Sequence, residues 1–396
     1  MRVPYALPVY DNREIDAVTA SLKSRKSIIG EKTSRFEEKV AALFGKKYGI
    51  MVNSGSSANL LAVELLKLPP GAEVVTPALT FSTTVAPLLQ KQLKPIFVDV
   101  EMGSYLASIS EIESAITRHT KCILIPSLIG NVPDFVRLRR IADSASVPIL
   151  EDSCDTLGAK ISGKSTGSFT DITTTSFYGS HIITAAGGGG MVCVNSKKQD
   201  TNCRVLRGWG RSSAVDESED VDKRFATNLG GAPYDSKFIF SDVGYNFLPL
   251  EISAAFGLEQ LKKLGMFARI RKANFAELNR FFAKYSRFFI LPRQLENVDT
   301  AWLAFPLTIK TDAPFSRAEL VIHLERNGIQ TRPIFAGNIL RQPAFASLRK
   351  GRDSGRFPNA DAIMHGGLLI GCNQGLTSSH IAYMKDVFDS YLEKFG

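Results

Sequence analysis

The chain lacks the features that mark several large classes of protein. It has only five cysteines in 396 residues: Cys122, Cys154, Cys193, Cys203 and Cys372. An odd, sparse set with no C-x-x-C spacing offers neither a disulfide framework nor a zinc site, so no metal centre is expected. No apolar run approaches the ~18 residues needed to span a bilayer. The opening MRVPYALPVYDNREID lacks the charged-then-apolar layout of a signal segment. No basic run is interleaved with aromatics, and no zinc-finger or RRM signature occurs. Low-complexity tracts and internal repeats are also absent. The expectation is a soluble cytoplasmic protein with neither a nucleic-acid nor a membrane partner.

What is present suits a large globular enzyme. Apolar residues make up 44% of the chain and charged residues 22%, which argues against disorder. The length allows two domains or one large one, with ample chain to bury a core. The net charge of +9 is spread along the sequence, as in 21-SLKSRKSIIGEK and 345-FASLRKGR. That excess fits either a solvated basic surface or attraction of a phosphate-bearing substrate.

Hydrophobic periodicity predicts helices over 12–24 and 32–45, the second with Phe36, Val40, Ala41 and Phe44 on one face. Strand–turn–helix units follow at 47-KYGIMVNSGSSANLLAVELLKL and 73-EVVTPALTFSTTVAPLLQ, and further strands at 95-PIFVDV, 122-CILIPSL and 148-PILEDS. A helix at 134-DFVRLRRIADSA separates the last two strands. Alternation of short buried strands with amphipathic helices predicts an α/β fold with a mainly parallel sheet flanked by helices. Residues 211–240 are polar and read as a long loop, of the kind that is often functional in compact enzymes. A long helix from residue 250 leads into a smaller α+β region, with a strand at 301–310 and helices at 316–329 and 377–395. The expected division is 1–264 and 265–396.

Three segments carry candidate chemistry. Gly55-Ser56-Ser57-Ala58 lies between a strand and a helix, where small residues allow either an anion cradle or an ordinary serine cap. Glu151 and Asp152 end an apolar strand, the position where parallel sheets bind ligands. A carboxylate there can hold a heteroaromatic nitrogen protonated, or it can simply cap a helix. In 172-ITTTSFYGSHIITAAGGGGMVCVN, His181 follows a β-rich run and precedes four glycines, Gly187 to Gly190, which allow close backbone approach. By itself such a histidine reads as structural.

Taken in order, 54-SGSSAN, 76-TPALTFSTT, 151-EDSCDTLGA, 176-SFYGSH…GGGG and 242-DVGYNFLPLEISAAFGLEQL resemble the DegT/DnrJ/StrS-type sugar aminotransferases and dehydratases. These are fold-type-I pyridoxal phosphate (PLP) enzymes. The resemblance spans nearly the whole chain, and 207-RGWGR, 328-GIQTRPIFAGN and 341-RQPAF resemble the 3-dehydratase branch that makes 3,6-dideoxyhexoses. It implies that Gly55, Ser56 and Ser57, helped by Ser176, hold the cofactor phosphate. Phe81 would cover one face of the pyridine ring, and Asp152 would pair with its nitrogen. Asn246 would reach the cofactor phosphate of a neighbouring subunit, which implies a homodimer with shared active sites.

The chain departs from the family pattern at the lysine that normally binds PLP covalently, where it has His181. Imidazole cannot form that link. The resemblance therefore implies a pyridoxamine phosphate (PMP) enzyme, in which His181 moves the proton while the C3 hydroxyl of a nucleotide-linked 4-keto-6-deoxyhexose is lost. Histidine suits this work because its pKa lies near working pH. The alternatives are a sugar aminotransferase that works with histidine, a lysine enzyme replaced at position 181, and a regulator-like relative that only binds sugar nucleotide. One dehydratase of the branch, acting on a CDP-6-deoxyhexulose, holds an iron–sulfur cluster on cysteines spaced C-x57-C-x-C-x7-C. From Cys154 that spacing falls on Ser212, Ala214 and Asp222, and one thiolate cannot hold a [2Fe–2S] cluster. The expected counterpart is the cluster-free GDP-4-keto-6-deoxymannose 3-dehydratase, with L-glutamate regenerating the amine. Arg332, Asn338 and Arg341 remain open as contacts for a diphosphate or a carboxylate. Gly188, where relatives often carry Glu or Asn, is a further departure.

Overall fold

The computed structural model describes residues 1–25, 28–215, 219–349 and 356–396. Lys26, Lys350 and Arg352 of the two basic stretches lie outside the described residues, as do positions 216–218 of the long excursion.

Seven strands build the main sheet: β1 (Tyr48–Val52), β2 (Glu73–Pro77), β3 (Lys94–Val98), β4 (Thr120–Pro126), β5 (Ile149–Asp152), β6 (Ile172–Ser176) and β7 (Gly190–Val194). Their order is β1-β7-β6-β5-β4-β2-β3. The β2/β3, β2/β4, β4/β5 and β5/β6 pairs are parallel, and β7 runs antiparallel to both β6 and β1. Parallel sheets are covered on both faces, so their strands read as continuous apolar runs. Strand alternation sends Val74, Leu124 and Leu150 to one face, against Ala58 and Leu61. It sends Val75, Ile123 and Ile149 to the other, against Phe135 and Leu138.

Two helices start at the edge of the site, α1 (Gly55–Leu65) after β1 and α2 (Ser82–Gln90) after β2. Ser54 caps α1, its hydroxyl accepting from the Ser57 amide at 3.1 Å. The 33-residue α3 (Glu251–Ala283) then links two cores. Ala254 and Phe267 pack with Phe36 and Phe177 of the large-sheet region. Leu278 and Phe282 pack into the core around a second sheet. That sheet comprises β8 (Phe289–Ile290), β9 (Phe305–Ile309), β10 (Thr331–Arg332) and β11 (Gly367–Ile370) in the order β8-β9-β11-β10. Val3 is bridged to Ile329 and buried in the same core, so the N-terminal residues return to the distal sheet.

The polar stretch 211–240 contains local structure beyond a plain loop. It holds a short helix, Val221–Phe225, and a hairpin pairing Thr227–Leu229 with Ala232–Tyr234. Around it Val221, Phe238, Phe240 and Val243 are exposed, Val243 at 90%. Among the described residues no helix is long and apolar enough to cross a membrane.

Candidate active site

The C-terminal ends of β1, β2, β5 and β6 converge on one cavity of about 300 Å³. Gly55, Ser56, Phe81, Asp152, Ser176 and His181 all line it. The remaining two candidates do not. Ser57 is buried beside it, with its amide and hydroxyl turned to Ser54. Asn246 is exposed just beyond the excursion, bridged to Gly208.

Glycine is required where the strand ends meet. Gly190 of β7 faces Val52 on one side and Ser176 on the other. A Cβ on Gly190 would fall 2.3 Å from the Ser54 carbonyl oxygen. A Cβ on Gly55 would fall 2.6 Å from Ser176 Cβ and 2.8 Å from Cys154 Sγ. This contact sets the N-terminus of α1 against the end of β6. Amides in the first turn of a helix have no acceptor within it, so those of Gly55 and Ser56 face the cavity edge as donors suited to an anion. Gly188 has open space instead, its nearest neighbour being the Asn53 carbonyl oxygen at 3.7 Å.

Asp152 is held as an acceptor. Its Oδ2 accepts from Asn59 Nδ2 at 2.8 Å and from Thr84 Oγ1 at 2.7 Å, and its Oδ1 from the Cys154 amide at 3.2 Å. Asn59 is oriented in turn by Thr174, whose hydroxyl donates to Asn59 Oδ1 at 2.5 Å. The neighbouring Glu151 points to the other side of the strand. There it accepts from Ser127 and Thr173, and burial pushes its carboxyl up.

His181 sits on a turn anchored from beneath. Its amide donates to the Tyr178 carbonyl, while Ile182 and Ile183 are buried in the core. Burial pushes the imidazole down to about 4. A backbone hydrogen bond with Ser176 and the Asp152 charge push the other way, and Arg271 adds to the lowering. Nδ1 is buried without a hydrogen-bond partner among the described residues. No lysine lines the cavity among the described residues.

Sequence reasoning missed several parts of this site. Asn59 and Thr84 orient Asp152 but carry no motif of their own. Phe335, from the second sheet's side, meets Phe81 edge to face with ring centres 6.1 Å apart. Tyr178 lies beside His181, the ring centres 6.0 Å apart. Asp155 also lines the cavity, accepting from the Ile129 amide at 3.0 Å. Burial, and then the nearby Asp152, push its carboxyl up to about 7. Its presence in 151-EDSCD was the one available signal.

The sequence matches the model of a known family over residues 8–388. The chain belongs to the DegT/DnrJ/EryC1/StrS aminotransferase family. It is 39% identical to the lipopolysaccharide biosynthesis protein RfbH of Salmonella typhimurium, covering 91% of this chain and 85% of RfbH. It is 37% identical to the dTDP-4-dehydro-2,6-dideoxy-D-glucose 3-dehydratase of Saccharopolyspora spinosa, covering 97% and 85%. It is 34% identical to the GDP-4-keto-6-deoxy-D-mannose 3-dehydratase of Yersinia pseudotuberculosis, covering 94% of each chain. The solved structure of the E. coli GDP-4-keto-6-deoxy-D-mannose 3-dehydratase with bound hydrated PLP superposes with a TM-score of 0.87 at 30% identity, covering 98% of this chain and 100% of that one. A structure of a GDP-4-keto-6-deoxymannose 3-dehydratase with a trapped PLP-glutamate geminal diamine gives 0.85 at 30%, with the same coverage. The fold is therefore that of the PLP-dependent sugar aminotransferases and dehydratases.

Proposed function

We propose that this chain is a PLP/PMP-dependent 3-dehydratase that removes the C3 hydroxyl of a nucleotide-linked 4-keto-6-deoxyhexose, with His181 as the proton carrier. The observation that carries this reading is a cavity with an unpartnered imidazole nitrogen and no lysine among its described lining residues. Without an amine on the protein, cofactor is held by contacts alone and its own amine stays available to a keto sugar. The names of two relatives at 34% and 37% identity, both 3-dehydratases, support the reading, and that of RfbH supports a place in lipopolysaccharide synthesis.

The residues present fit the cofactor. Gly55, Ser56 and Ser176 would receive its phosphate, with Ser57 behind them, and Phe81 would cover the ring. Asp152 would face the pyridine nitrogen and keep it protonated, since an adjacent carboxylate favours the charged form. When bound, PMP supplies a primary amine for the ketone and a conjugated ring that accepts an electron pair. His181 enters the reaction neutral because its site is buried. Its Nδ1 takes up a proton, and the imidazolium then gives that proton to the departing hydroxyl, which leaves as water.

In the same reading L-glutamate restores the amine, in line with the glutamate adduct trapped in the solved 3-dehydratase. The protein is a cytoplasmic homodimer. Asn246, outside its own chain's cavity, serves the partner's site, and residues 1–264 and 265–396 act as the cofactor-binding and smaller domains.

The deciding experiment has two arms. Borohydride treatment of the PLP-loaded protein should leave cofactor removable by dialysis. Incubation with PMP and a panel of CDP-, GDP- and dTDP-4-keto-6-deoxyhexoses should release a 3-deoxy product from one of them. A stable lysyl adduct, or an amino sugar as the only product, would sink the reading.

A further inference from the structure

Arg271, on α3, is 1% exposed. Arginine is almost never fully buried unless it is paired. Arg271 has no carboxylate partner among the described residues, and its Nε is buried there without an acceptor. Burial pushes the guanidinium down to about 10, which leaves it charged near neutral pH. A buried charge without a counter-ion is costly to keep. Its hydrogen bonds show what it holds.

Nη1 donates to the Leu303 carbonyl at 2.8 Å and to the Trp302 carbonyl at 3.2 Å. Both carbonyls lie ahead of β9, which begins at Phe305, and so outside its ladder. The same segment grips a loop of the cavity. The Leu303 amide donates to the Ile129 carbonyl at 2.8 Å, and the Thr300 hydroxyl to the Gly130 carbonyl at 2.6 Å. A Cβ on Gly130 would fall 2.6 Å from the Leu303 nitrogen. Ile129 is held at a φ of 59°, a left-handed conformation that a β-branched residue avoids. In that conformation its amide donates to Asp155 in the cavity wall at 3.0 Å, and Leu128 beside it lines the cavity too. The His181 turn is close as well. Leu303 and Phe267, one turn before Arg271 on α3, share a core with Ile182 and Ile183.

We infer that Arg271 is a positioning residue for the proton-transfer site. It holds Leu303, and through it the strained Ile129 and the Asp155 wall, while its charge lies behind the His181 turn. This rests on the reading of His181 given above. Two effects follow from losing it. Without the clamp, Ile129 relaxes to an ordinary backbone state and turns its amide from Asp155. Without the charge, the imidazolium is less disfavoured, since Arg271 opposes the protonated form whereas Asp152 favours it. A neutral side chain at this position leaves His181 more ready to keep the proton it must pass on.

The test compares Arg271→Met, which removes charge and donors, with Arg271→Lys, which keeps the charge. The first readout needs no substrate: NMR titration of the apo protein carrying isotope-labelled histidine. The chain has five histidines, and His181→Asn identifies the signal in question. The His181 titration should move up from about 4 in Arg271→Met and stay near the parent's in Arg271→Lys. The second readout is turnover of the PMP-loaded protein on a 4-keto sugar nucleotide. It should fall by ~10–100-fold in Arg271→Met with KM within ~2-fold, as misplacement remote from the chemistry can do. Arg271→Lys should recover part of it. Tyr105→Phe removes a buried bond to Thr308 in the core around the second sheet, and should cost stability while moving neither readout. If Arg271→Met does not fold, Arg271→Gln, which keeps a donor but no charge, is judged in its place. The proposal is overturned if a folded neutral variant keeps the parental His181 titration, or turns over at the parental rate. If the titration moves but the parent itself forms no 3-deoxy sugar, the dehydratase reading falls and the placement of Arg271 stands.

Discussion

The floor and the mouth of the cavity are built on opposite terms. At the floor, Asp152 is fixed by Asn59, Thr84 and the Cys154 amide, and Asn59 is itself fixed by Thr174. At the mouth, Phe81 and Tyr178 are exposed. His181 stands between the two, on a turn anchored in the core, with Nδ1 unpartnered among the described residues. Restraint at the floor holds one charge state in one place. The mouth leaves its groups free to meet a ligand. Substitutions at the floor should therefore cost stability and cofactor binding together, whereas those at the mouth should change ligand affinity alone.

The largest effect is expected between these regions. His181→Asn should retain PMP but lose dehydration by ~10²–10⁴-fold, the usual cost of removing a general base. The loss should appear in turnover more than in substrate binding. Stopped-flow absorbance with a 4-keto sugar nucleotide measures it, and a near-parental rate would place the base elsewhere.

At the floor, Asn59→Ala removes one of the two donors to Asp152 Oδ2 and leaves the Thr174 hydroxyl only its longer bond to the Glu151 carbonyl at 3.3 Å. A buried group left unsatisfied costs about 1–3 kcal/mol. Chemical denaturation should show a loss in that range, accompanied by weaker PMP retention. Unchanged stability would mean that the floor is not under the restraint described.

Asp155 offers a pH-dependent test. Its carboxyl titrates near 7 in the folded chain, against a usual value of 3.8, because burial and Asp152 oppose its charge. The folded protein thus binds a proton that the unfolded chain has released, and this site's contribution to stability declines as pH rises from about 4 to about 7. Asp155→Asn removes the decline and can still accept from the Ile129 amide. It should match the parent near pH 4 and exceed it at pH 8 by up to about 4 kcal/mol, since the shift spans about three pKa units and each is worth about 1.4 kcal/mol. Thermal melts of the apo protein at the two pH values decide the matter; a constant offset would remove Asp155 as the source.

The smallest effect belongs to the mouth. Tyr178→Phe removes only the hydroxyl of a side chain that is 62% exposed. Its stability should stay within about 0.5 kcal/mol of the parent, as for surface changes in general. A loss comparable to that of Asn59→Ala would erase the contrast between floor and mouth.

Much of this molecule was legible before its fold was known, because the relevant signals are local. The strands over 73–77 and 149–152 each carry an apolar pair, Val74–Val75 and Ile149–Leu150, and the small residues of 55–58 lie just past the end of a strand. Asp152 at a strand end and His181 in the lysine position could be read from segments of a dozen residues. Local pattern also misled in places. The polar composition of 211–240 concealed a hairpin, and the strand expected over 301–310 begins only at Phe305.

Tertiary structure decided what depends on partners distant in the chain. Asn59 is a clamp only because packing brings Thr174 to its oxygen and Asp152 to its nitrogen. Phe335, which follows β10 of the second sheet, reaches Phe81. Arg332 and Arg341 look equivalent in sequence, yet Asp361 holds Arg341, whereas Arg332 donates to the Thr331 carbonyl. Local sequence determines which backbone states and apolar faces form, since those depend on near neighbours. Which polar groups are paired, left free or shifted in pKa depends on burial and on what packs against them, and these arise only when the chain closes on itself.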